Sequence, residues 1–422
     1  MMTKENQIRH DERKKRMTDA LSLKVPDRVP IEITGGSFMV RDAGYTMAEV
    51  IYDTSLEKAW NCVEKFLHDF EPDVVTDLGL NYLGEGPGFE MQGLKTMLIA
   101  GMADSRIGEN SIQQFLEFPI LLDDEFDEFF QDRTAWSIHK FLPRISSVLE
   151  PFASLDFPLN HRGIQGIAQI FSRPDIRAAI EKLWEINDFY REFTPKAAAF
   201  NKKAVELGFP SFGGGGKAVV PFDKYSDTFR GTILSLTDLY EHPEEVRTFI
   251  DSFQQEMLQK IRRYNKDGSK NGKYVTIMLH KGIDGFMSDD NYAEFYWRHL
   301  KEEIETIAEC GMIPCVFAEG KYMTRLKYLS DVPVGKAYYY FESMDMAETK
   351  RQLSGIACVG GGFPSALLSY GTKEQVANEC KRLLDACAPG GGYIFKLSAG
   401  LNDAKRENVE TMFQTVRDYG RY

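Results

Sequence analysis

The feature that most constrains the fold is a series of continuous apolar runs in the last third of the chain, each ending on a polar residue. Runs of this kind are typical of strands buried on both faces, as in parallel sheets. In a (β/α)8 barrel, polar side chains at the carboxyl ends of successive strands assemble the active site. The sequence therefore predicts an α/β enzyme with a (β/α)8 TIM barrel. The predicted strand ends are His280, Glu319, Glu342, Cys358 with the glycines after it, and Lys396 with Ser398.

The composition narrows the classes of function. The formal net charge is -12, and an acidic surface argues against nucleic acid or an anionic membrane as the main partner, since both require a basic footprint. The first 25 residues lack the apolar core of a secretory signal, and no run approaches the roughly 18 apolar residues of a membrane helix. The six cysteines include no CxxC pair, which indicates free thiols. We therefore expect a cytoplasmic protein that binds neither nucleic acid nor membrane.

The chain shows no repeat and no low-complexity linker, so we expect one barrel domain over residues 1–422. Residues 1–25 are predicted to be a polar helical N-terminal extension, followed by a first strand. A second strand is predicted over residues 73–77, ending on Asp77. Residues 79–160, which are rich in turn signals, are predicted to be an insertion into the barrel.

Two strand-end residues are the leading candidates for chemistry. His280 is one of only seven histidines. The alternative to a catalytic role is a structural one, in which the half-buried ring forms a hydrogen bond with a neighbouring backbone group. Glu319 precedes Gly320, and a buried carboxylate is costly without a partner. Metal coordination or acid–base work would supply that partner, and the structural alternative is an ion pair with Lys321 or Arg325.

His280 and Glu319 lie on adjacent predicted strands and could share one divalent ion. Zinc accepts imidazole nitrogen and carboxylate oxygen, and a catalytic zinc site leaves one position open for substrate. A third ligand would be Glu342, Cys358 or Asp284, and the sequence does not choose among these three.

Two further segments bear on ligand binding. Glycines 213–216 and Lys217 depart from the GxxxxGK[ST] phosphate loop, so a close approach of the backbone to a ligand or tight packing is the better interpretation. The run Tyr338–Phe341 is typical of a core strand. Alternation along that strand places Tyr340 on the same side as Glu342.

Several short motifs follow one another along the chain in a set order. They are Pro26-Asp-Arg-Val-Pro30, Pro221-Phe-Asp223 with Asp227, Phe229-Arg-Gly231, Asp238, His242-Pro-Glu-Glu-Val246, Gly285-Phe-Met-Ser288, Ile313-Pro314, Glu319-Gly320 and Glu407-Asn408. In these motifs and their spacing the chain resembles the uroporphyrinogen decarboxylase superfamily, which includes the cobalamin-dependent methyltransferases. The resemblance covers most of the chain and implies a (β/α)8 barrel.

One departure from the superfamily pattern concerns the substrate. True decarboxylases carry an arginine-rich RQAGR signature after the first strand, which holds the carboxylates of the porphyrinogen. The corresponding segment here, residues 34–45, contains Arg41 as its only arginine. Since several carboxylates require several cations, the comparison argues against porphyrinogen decarboxylation.

A second departure concerns the metal. The thiol-methylating branch has a His-x-Cys-Gly motif where this chain has Phe317-Ala-Glu319-Gly320, and a second cysteine near the position of Ser398. Phe317 therefore replaces the histidine, Glu319 replaces the first cysteine, and the second cysteine is missing. The resemblance implies a harder site of Glu319 with His280, suited to an oxygen-bearing substrate.

This resemblance implies a methyltransferase that moves a methyl group from a methyl ether, in particular an aromatic one, to the Co(I) of a corrinoid protein. Zinc on the ether oxygen, or a proton from a nearby acid, would stabilise the leaving group. His280 and Glu319 are the expected catalytic and zinc-binding residues. The expected partners are a corrinoid protein and a small methoxylated substrate. The expected substrate-binding residues are Arg41, Asp77, Lys217, Tyr340, Glu342 and Ser398.

Two other functions stay open at this point. One is a decarboxylase or lyase acting on a smaller or tetrapyrrole acid, with Arg41 and Lys217 holding a carboxylate. The other is a non-catalytic barrel that binds a corrinoid or tetrapyrrole. A homodimer is the default expectation for the assembly.

Overall fold

The main sheet consists of six parallel strands that follow one another in chain order. The computed structural model describes residues 2–75, 82–103 and 106–422. Apolar runs that are buried on both faces explain why these segments form strands. A separate antiparallel pair, Met97–Leu98 and Gln114–Phe115, lies outside the main sheet. The strands are β1 (Met97–Leu98), β2 (Gln114–Phe115), β3 (Gly216–Ala218), β4 (Tyr274–Leu279), β5 (Ile313–Ala318), β6 (Tyr338–Phe341), β7 (Cys358–Gly361) and β8 (Tyr393–Ile394).

Backbone hydrogen bonds close this sheet into a barrel. Two extended segments, residues 28–34 and 72–75, lie between β8 and the chain leading into β3, where the sequence predicts the first two strands. Ile31 forms a parallel bridge with Phe395 on the β8 side. Eight strand positions in a ring agree with the predicted (β/α)8 barrel, although its first two strands are irregular. The linking bonds run from Glu32 N to Phe395 O (3.0 Å), Phe395 N to Pro30 O (2.8 Å), Asp73 N to Ile31 O (2.9 Å), Val75 N to Pro210 O (3.0 Å) and Tyr274 N to Phe212 O (2.6 Å).

An N-terminal helix closes the floor of the barrel, in agreement with the predicted polar extension. It spans Lys4–Leu21 and is capped by Thr3, whose side chain accepts a hydrogen bond from Asn6 N. Its apolar stripe is narrow, because most of its residues are charged, and that stripe packs into the barrel interior. The interior cluster consists of Met17, Ala20 and Leu21 of this helix with Val74, Phe212, Tyr274, Cys315, Tyr338, Cys358 and Ile394.

The remaining helices pack around the sheet or build the insertion. Residues 46–70 form two helices: the first ends at Ile51, and the second begins at Glu57, directly after Leu56, whose φ is 63°. The α-helices are α1 (Lys4–Leu21), α2 (Gly36–Asp42), α3 (Met47–Ile51), α4 (Glu57–Phe70), α5 (Gly86–Met91), α6 (Phe126–Gln131), α7 (Arg133–Trp136), α8 (Leu142–Ile145), α9 (Gln165–Phe171), α10 (Pro174–Glu206), α11 (Pro221–Tyr225), α12 (Thr232–Glu241), α13 (Pro243–Tyr264), α14 (Asp289–Asn291), α15 (Arg298–Glu309), α16 (Leu326–Leu329), α17 (Met346–Leu353), α18 (Ala366–Tyr370), α19 (Lys373–Cys387) and α20 (Arg406–Tyr419).

The structure also contains short 3-10 helices and π-helices. The 3-10 helices are Asp123–Glu125, Ser147–Ser154 and Met323–Arg325, and the π-helices are Ser137–Phe141, Ser226–Arg230 and Tyr292–Trp297. In the region predicted as an insertion, the β1–β2 hairpin and α5 to α8 precede the long helix α10. Across the parts of the chain that the structure describes, no helix has both the length and the apolar character needed to cross a membrane.

Candidate active site

The two leading candidate residues meet at the carboxyl end of the sheet. His280 directly follows β4 and Glu319 directly follows β5, and these strands pair in register up to Leu279 and Ala318. Because the two strands are in register, the residue that follows each strand lies at the same level of the barrel. As a result, His280 Nε2 lies 3.5 Å from Glu319 Oε2. About half of the Glu319 side chain is exposed, so this pair faces the open mouth of the barrel.

Asp227 holds the other nitrogen of the His280 ring. Its Oδ2 lies 2.5 Å from His280 Nδ1, and its Oδ1 lies 3.1 Å from Lys281 Nζ. Asp227 sits on the π-helix Ser226–Arg230 that follows α11, and such widened turns often re-aim side chains at functional sites. The hydrogen bond that His280 donates to the Asp227 carboxylate raises the pKa of His280, against the opposing effect of burial. The imidazolium form of His280 is therefore favoured.

Asp223 supports the same strand end from below. It is fully buried and accepts hydrogen bonds from His280 N (3.1 Å), Lys281 N (2.8 Å) and Tyr296 Oη (2.6 Å). Burial, together with the negative charge of Asp227, raises the pKa of the Asp223 carboxyl to about 6. This carboxyl fixes the backbone from which His280 projects, because both bonded amides belong to the turn that starts at His280.

Sequence reasoning did not assign a role to Asp223 or Asp227. Both belong to the motif Pro221-Phe-Asp223 with Asp227 on which the family resemblance rests. That motif was the one signal in the sequence that could have pointed to these two aspartates as site residues. Their partner His280 lies more than fifty residues further along the chain, so no local pattern could pair them.

The mouth of the barrel is lined by apolar side chains below the polar pair. Val219 and Met278 are 37% and 41% exposed and lie one position beyond the paired residues Ala218 and Ile277, on the inner face of the barrel. Phe317 stacks on Tyr340 with ring centroids 4.5 Å apart. Together they form an apolar wall that would suit a planar ligand.

Two lysines lie deeper in the same interior. Lys396 Nζ bonds to Glu32 Oε1 at 2.9 Å and lies 3.9 Å from the centre of the Tyr340 ring. Lys217 is exposed and pairs in register with Thr276, whose own partner Cys315 belongs to the interior cluster. The Lys217 side chain therefore faces the inside of the barrel. Of the two, Lys396 is already engaged by a buried carboxylate.

The three proposed third ligands are not gathered around His280. Glu342 Oε2 accepts a hydrogen bond from Gly320 N at 2.6 Å, and Asp284 accepts one from Thr324 Oγ1 at 2.7 Å. Cys358 begins β7 instead of ending it and is fully buried in the interior cluster, at the level of Tyr338. The predicted strand end, Cys358 with the glycines after it, is therefore correct for the glycines and wrong for Cys358, because the strand runs from Cys358 to Gly361.

Arg41 and Ser398, two other predicted substrate-binding residues, contact or belong to the loop after β8. Arg41 on α2 binds Asp403 and the carbonyl oxygen of Asn402, in the loop after β8. Arg41 therefore forms an ion pair with Asp403 within the protein. Ser398 lies in the same loop, where Ser365 N approaches its Oγ at 3.4 Å. Asp77 lies outside the residues that the structure describes.

A second group of potential metal ligands consists of Asp123, Asp238 and His242, whose ligand atoms lie within 4.8 Å of one another. The buried guanidinium of Arg230 bonds to both carboxylates, at 2.5 Å to Asp123 Oδ1 and at 2.7 Å and 2.9 Å to Asp238. Tyr225 Oη donates a further bond to Asp238 at 2.5 Å. Since Arg230 already neutralises these acids, a metal ion here would have to displace a buried salt bridge.

Comparison with known proteins identifies the family of this chain. The model of the family "Uroporphyrinogen decarboxylase (URO-D)" matches residues 177–419. Uroporphyrinogen decarboxylase of Azoarcus sp. (strain BH72) is 25% identical over 152 residues, 34% of this chain and 41% of the relative. That of Neisseria gonorrhoeae (strain NCCP11945) is 24% identical over 192 residues, 44% of this chain and 51% of the relative. The chain thus spans about half the length of the curated relatives it matches.

A solved structure matches over nearly the whole chain. A methyltransferase from Methanosarcina mazei superposes with a TM-score of 0.56 and 14% sequence identity, covering 96% of this chain and 98% of that protein. At this identity the likeness shows a shared fold. It agrees with the barrel traced by the backbone hydrogen bonds.

Proposed function

The chain belongs to the uroporphyrinogen decarboxylase family, and on this basis we propose that it transfers a methyl group from a methyl ether to the Co(I) of a corrinoid protein. The observation that carries the proposal is the position of His280, between Asp227 at one ring nitrogen and Glu319 at the other. A histidine with these two neighbours, in an open barrel mouth, is arranged to assist a leaving oxygen. The likeness in fold to a methyltransferase supports the same reaction class.

The charges at the mouth favour an ether over a polycarboxylate. Asp227, Glu319 and the buried Asp223 surround His280, and Lys281 is bound to Asp227. Arg41, the one cation of the segment after the first strand, is paired with Asp403. A substrate with several carboxylates would meet more negative than positive groups here. A neutral aryl ether would instead lie against the wall formed by Phe317 and Tyr340.

His280 acts as the proton donor in this proposal. A Co(I) corrinoid on the partner would accept the methyl group, and the electron pair of the broken carbon–oxygen bond would remain on the oxygen. His280 Nε2 delivers a proton to that oxygen, while Asp227 holds Nδ1 and stabilises the imidazolium before transfer. Glu319, whose Oε2 lies 3.5 Å from Nε2, helps to orient the imidazole ring.

The same residues also fit a zinc ion. Ligand atoms around a tetrahedral zinc with bonds of about 2.0–2.1 Å are separated by roughly 3.3 Å, close to the 3.5 Å between His280 Nε2 and Glu319 Oε2. A carboxylate on the other ring nitrogen is the usual support of a zinc-bound histidine. Bound zinc would act as a Lewis acid on the ether oxygen. No third ligand completes a site with this pair among the described residues.

The experiment is methyl transfer from a panel of methoxylated aromatic compounds to reduced cobalamin, followed by the absorbance of the methylated product. We expect turnover with at least one aryl ether, and a loss of about 100-fold or more in His280→Ala. His68→Ala, at an exposed histidine on α4, is the matched control. Failure of every ether, together with release of CO2 from a small acid, would overturn the proposal in favour of a decarboxylase.

The pH profile separates the two roles of His280. A proton donor must be protonated, so activity falls as the pH rises through the raised pKa of His280. A zinc ligand must be deprotonated, so activity that depends on zinc should instead rise with pH. A non-catalytic barrel would bind a tetrapyrrole without turnover at any pH.

A further inference from the structure

A second cleft lies at the opposite end of the barrel from His280. It has a volume of about 530 Å³ and is bounded by helix α1 on one side and by the residues that lead into four strands on the other. Small-molecule sites typically enclose about 300–1,000 Å³. His10, Lys14, Thr18 and Leu21 of α1 and its C-cap Ser22 line one side, and the residues before the strands include Ser211, Phe212, Gly272, Lys273, Met312, Lys336 and Ala337.

The charge of this cleft is opposite to that of the chain. The chain carries a net charge of -12, whereas three lysines (Lys14, Lys273 and Lys336) and one histidine line the cleft. Among the described residues that line it, none is acidic. A concave basic site on an acidic molecule concentrates anions.

Among the residues that the structure describes, no carboxylate forms an ion pair with the cleft lysines. Lys273 Nζ donates to the carbonyl oxygen of Ser211 at 2.5 Å, and burial together with the charge of Lys14 lowers the pKa of Lys273. In the described part of the chain no carboxylate lies within 4.0 Å of the Lys14, Lys273 or Lys336 ammonium groups, although His10 approaches Asp11 at 3.0 Å. Within the described residues, the three lysines that line the cleft therefore form no direct ion pair with a carboxylate.

The back of the cleft is apolar. Leu21, Phe212 and Met312 are nearly fully buried residues that contribute to its lining. A ligand that satisfies both parts of the cleft has an anionic group at the lysines and an apolar body against these side chains. A bare inorganic ion would use only the first part.

We propose that this floor cleft binds a small organic dianion, in which a phosphate or a pair of carboxylates is attached to a ring or short apolar chain. The site is separate from the barrel mouth and does not depend on the proposed methyl transfer. Lysine serves as a point charge for such groups, and the amphiphilic lining selects organic anions over phosphate alone.

The test is isothermal titration calorimetry of the full chain with phenyl phosphate and with phthalate, using inorganic phosphate and phenol for comparison. We expect one of the two organic dianions to bind at one site per chain, more tightly than phosphate or phenol. The double variant Lys14→Met and Lys336→Met should weaken this binding by about tenfold or more. Both lysines are exposed, so the variant should fold, and circular dichroism checks this.

Two matched lysine variants make the result specific. Lys202→Met removes an exposed charge on α10 outside the cleft, and Lys217→Met removes the lysine that faces the barrel interior, which is also outside the cleft lining. Both should bind as the wild type does. Absence of saturable heat at about 10 mM ligand, or an equal loss in either control variant, would overturn the proposal.

Discussion

Asp227 Oδ2 lies 2.5 Å from His280 Nδ1, so a carboxylate from the turn after α11 holds a histidine from the end of β4. This pair couples two barrel segments that are adjacent in space and distant in sequence. The pair sets both the orientation of the ring and its affinity for a proton, because Asp227 bonds to one nitrogen and leaves the other facing Glu319.

Replacing Asp227 with asparagine should lower the pKa of His280. The hydrogen bond to this carboxylate is the main cause of the raised pKa, and a neutral amide would no longer stabilise the imidazolium by its charge. NMR titration of labelled histidine measures the shift. If His280 donates a proton, the descending limb of the activity profile should move to lower pH in the same variant.

Asp251 offers a matched control for that measurement. It accepts a hydrogen bond at 3.0 Å from Nε2 of a different histidine, His299. Asp251→Asn should change the titration of His299 and leave His280 unaffected. An unchanged His280 titration in Asp227→Asn would contradict the pairing seen here.

Asp223 should contribute strongly to stability through its three hydrogen bonds. In Asp223→Ala the two amides of the β4 turn and the Tyr296 hydroxyl lose their buried acceptor, at a cost of roughly 3 kcal/mol or more in the free energy of unfolding. Tyr296→Phe removes one of the three bonds and should cost about 1 kcal/mol. Denaturant unfolding measures both, and equal costs would show that the amide bonds contribute nothing.

The same carboxyl should give a pH-dependent stability. Its folded pKa of about 6 lies above its ordinary value of 3.8, so the folded state keeps the proton to higher pH than the unfolded state does. The contribution is therefore complete below pH 3.8 and is lost as the pH rises through about 6. The unfolding free energy of the wild type, relative to Asp223→Asn, should fall over this interval. A rise over the same interval would contradict the assigned direction.

The buried pair of Lys396 and Glu32 should also be sensitive to single substitution. Their charged atoms lie 2.9 Å apart, and the Glu32 side chain is almost fully buried. Lys396→Met should destabilise the fold by about 3–5 kcal/mol, because the carboxylate loses this cation. The double variant with Glu32→Gln should recover part of that loss. Lys301→Met, which breaks the exposed pair with Asp331, should cost less than about 1 kcal/mol.

The sequence alone was sufficient for the barrel and for part of the site. Apolar runs of strand length end at His280 and Glu319, and the parallel pairing of β4 with β5 then brings the two residues together. Alternation along β6 likewise predicts the inward side of Tyr340, which stacks on Phe317 inside the barrel. These features depend on local periodicity, which a single sequence displays.

The remaining part of the site depends on contacts that a single sequence does not display. Asp227 lies on a π-helix, and the widened turn places its carboxylate next to His280. The spacing of apolar residues along the sequence does not predict such a turn. The sequence predicts that Arg41 binds a substrate, but in the structure Arg41 forms an ion pair with Asp403, which lies far along the chain. The position of Cys358 depended on where β7 begins, and an apolar run that continues into glycines leaves that boundary undefined.

The position of any bound zinc distinguishes the two groups of potential ligands. If zinc binds His280 and Glu319, the purified chain should contain about one zinc, and His280→Ala or Glu319→Gln should lose most of it. His242→Ala should retain the metal, because the acids beside His242 already bind Arg230. Elemental analysis of the three variants measures this directly. If His280→Ala retains zinc and His242→Ala loses it, the metal binds beside Arg230 instead. If the wild type is active without metal, His280 acts as a proton donor.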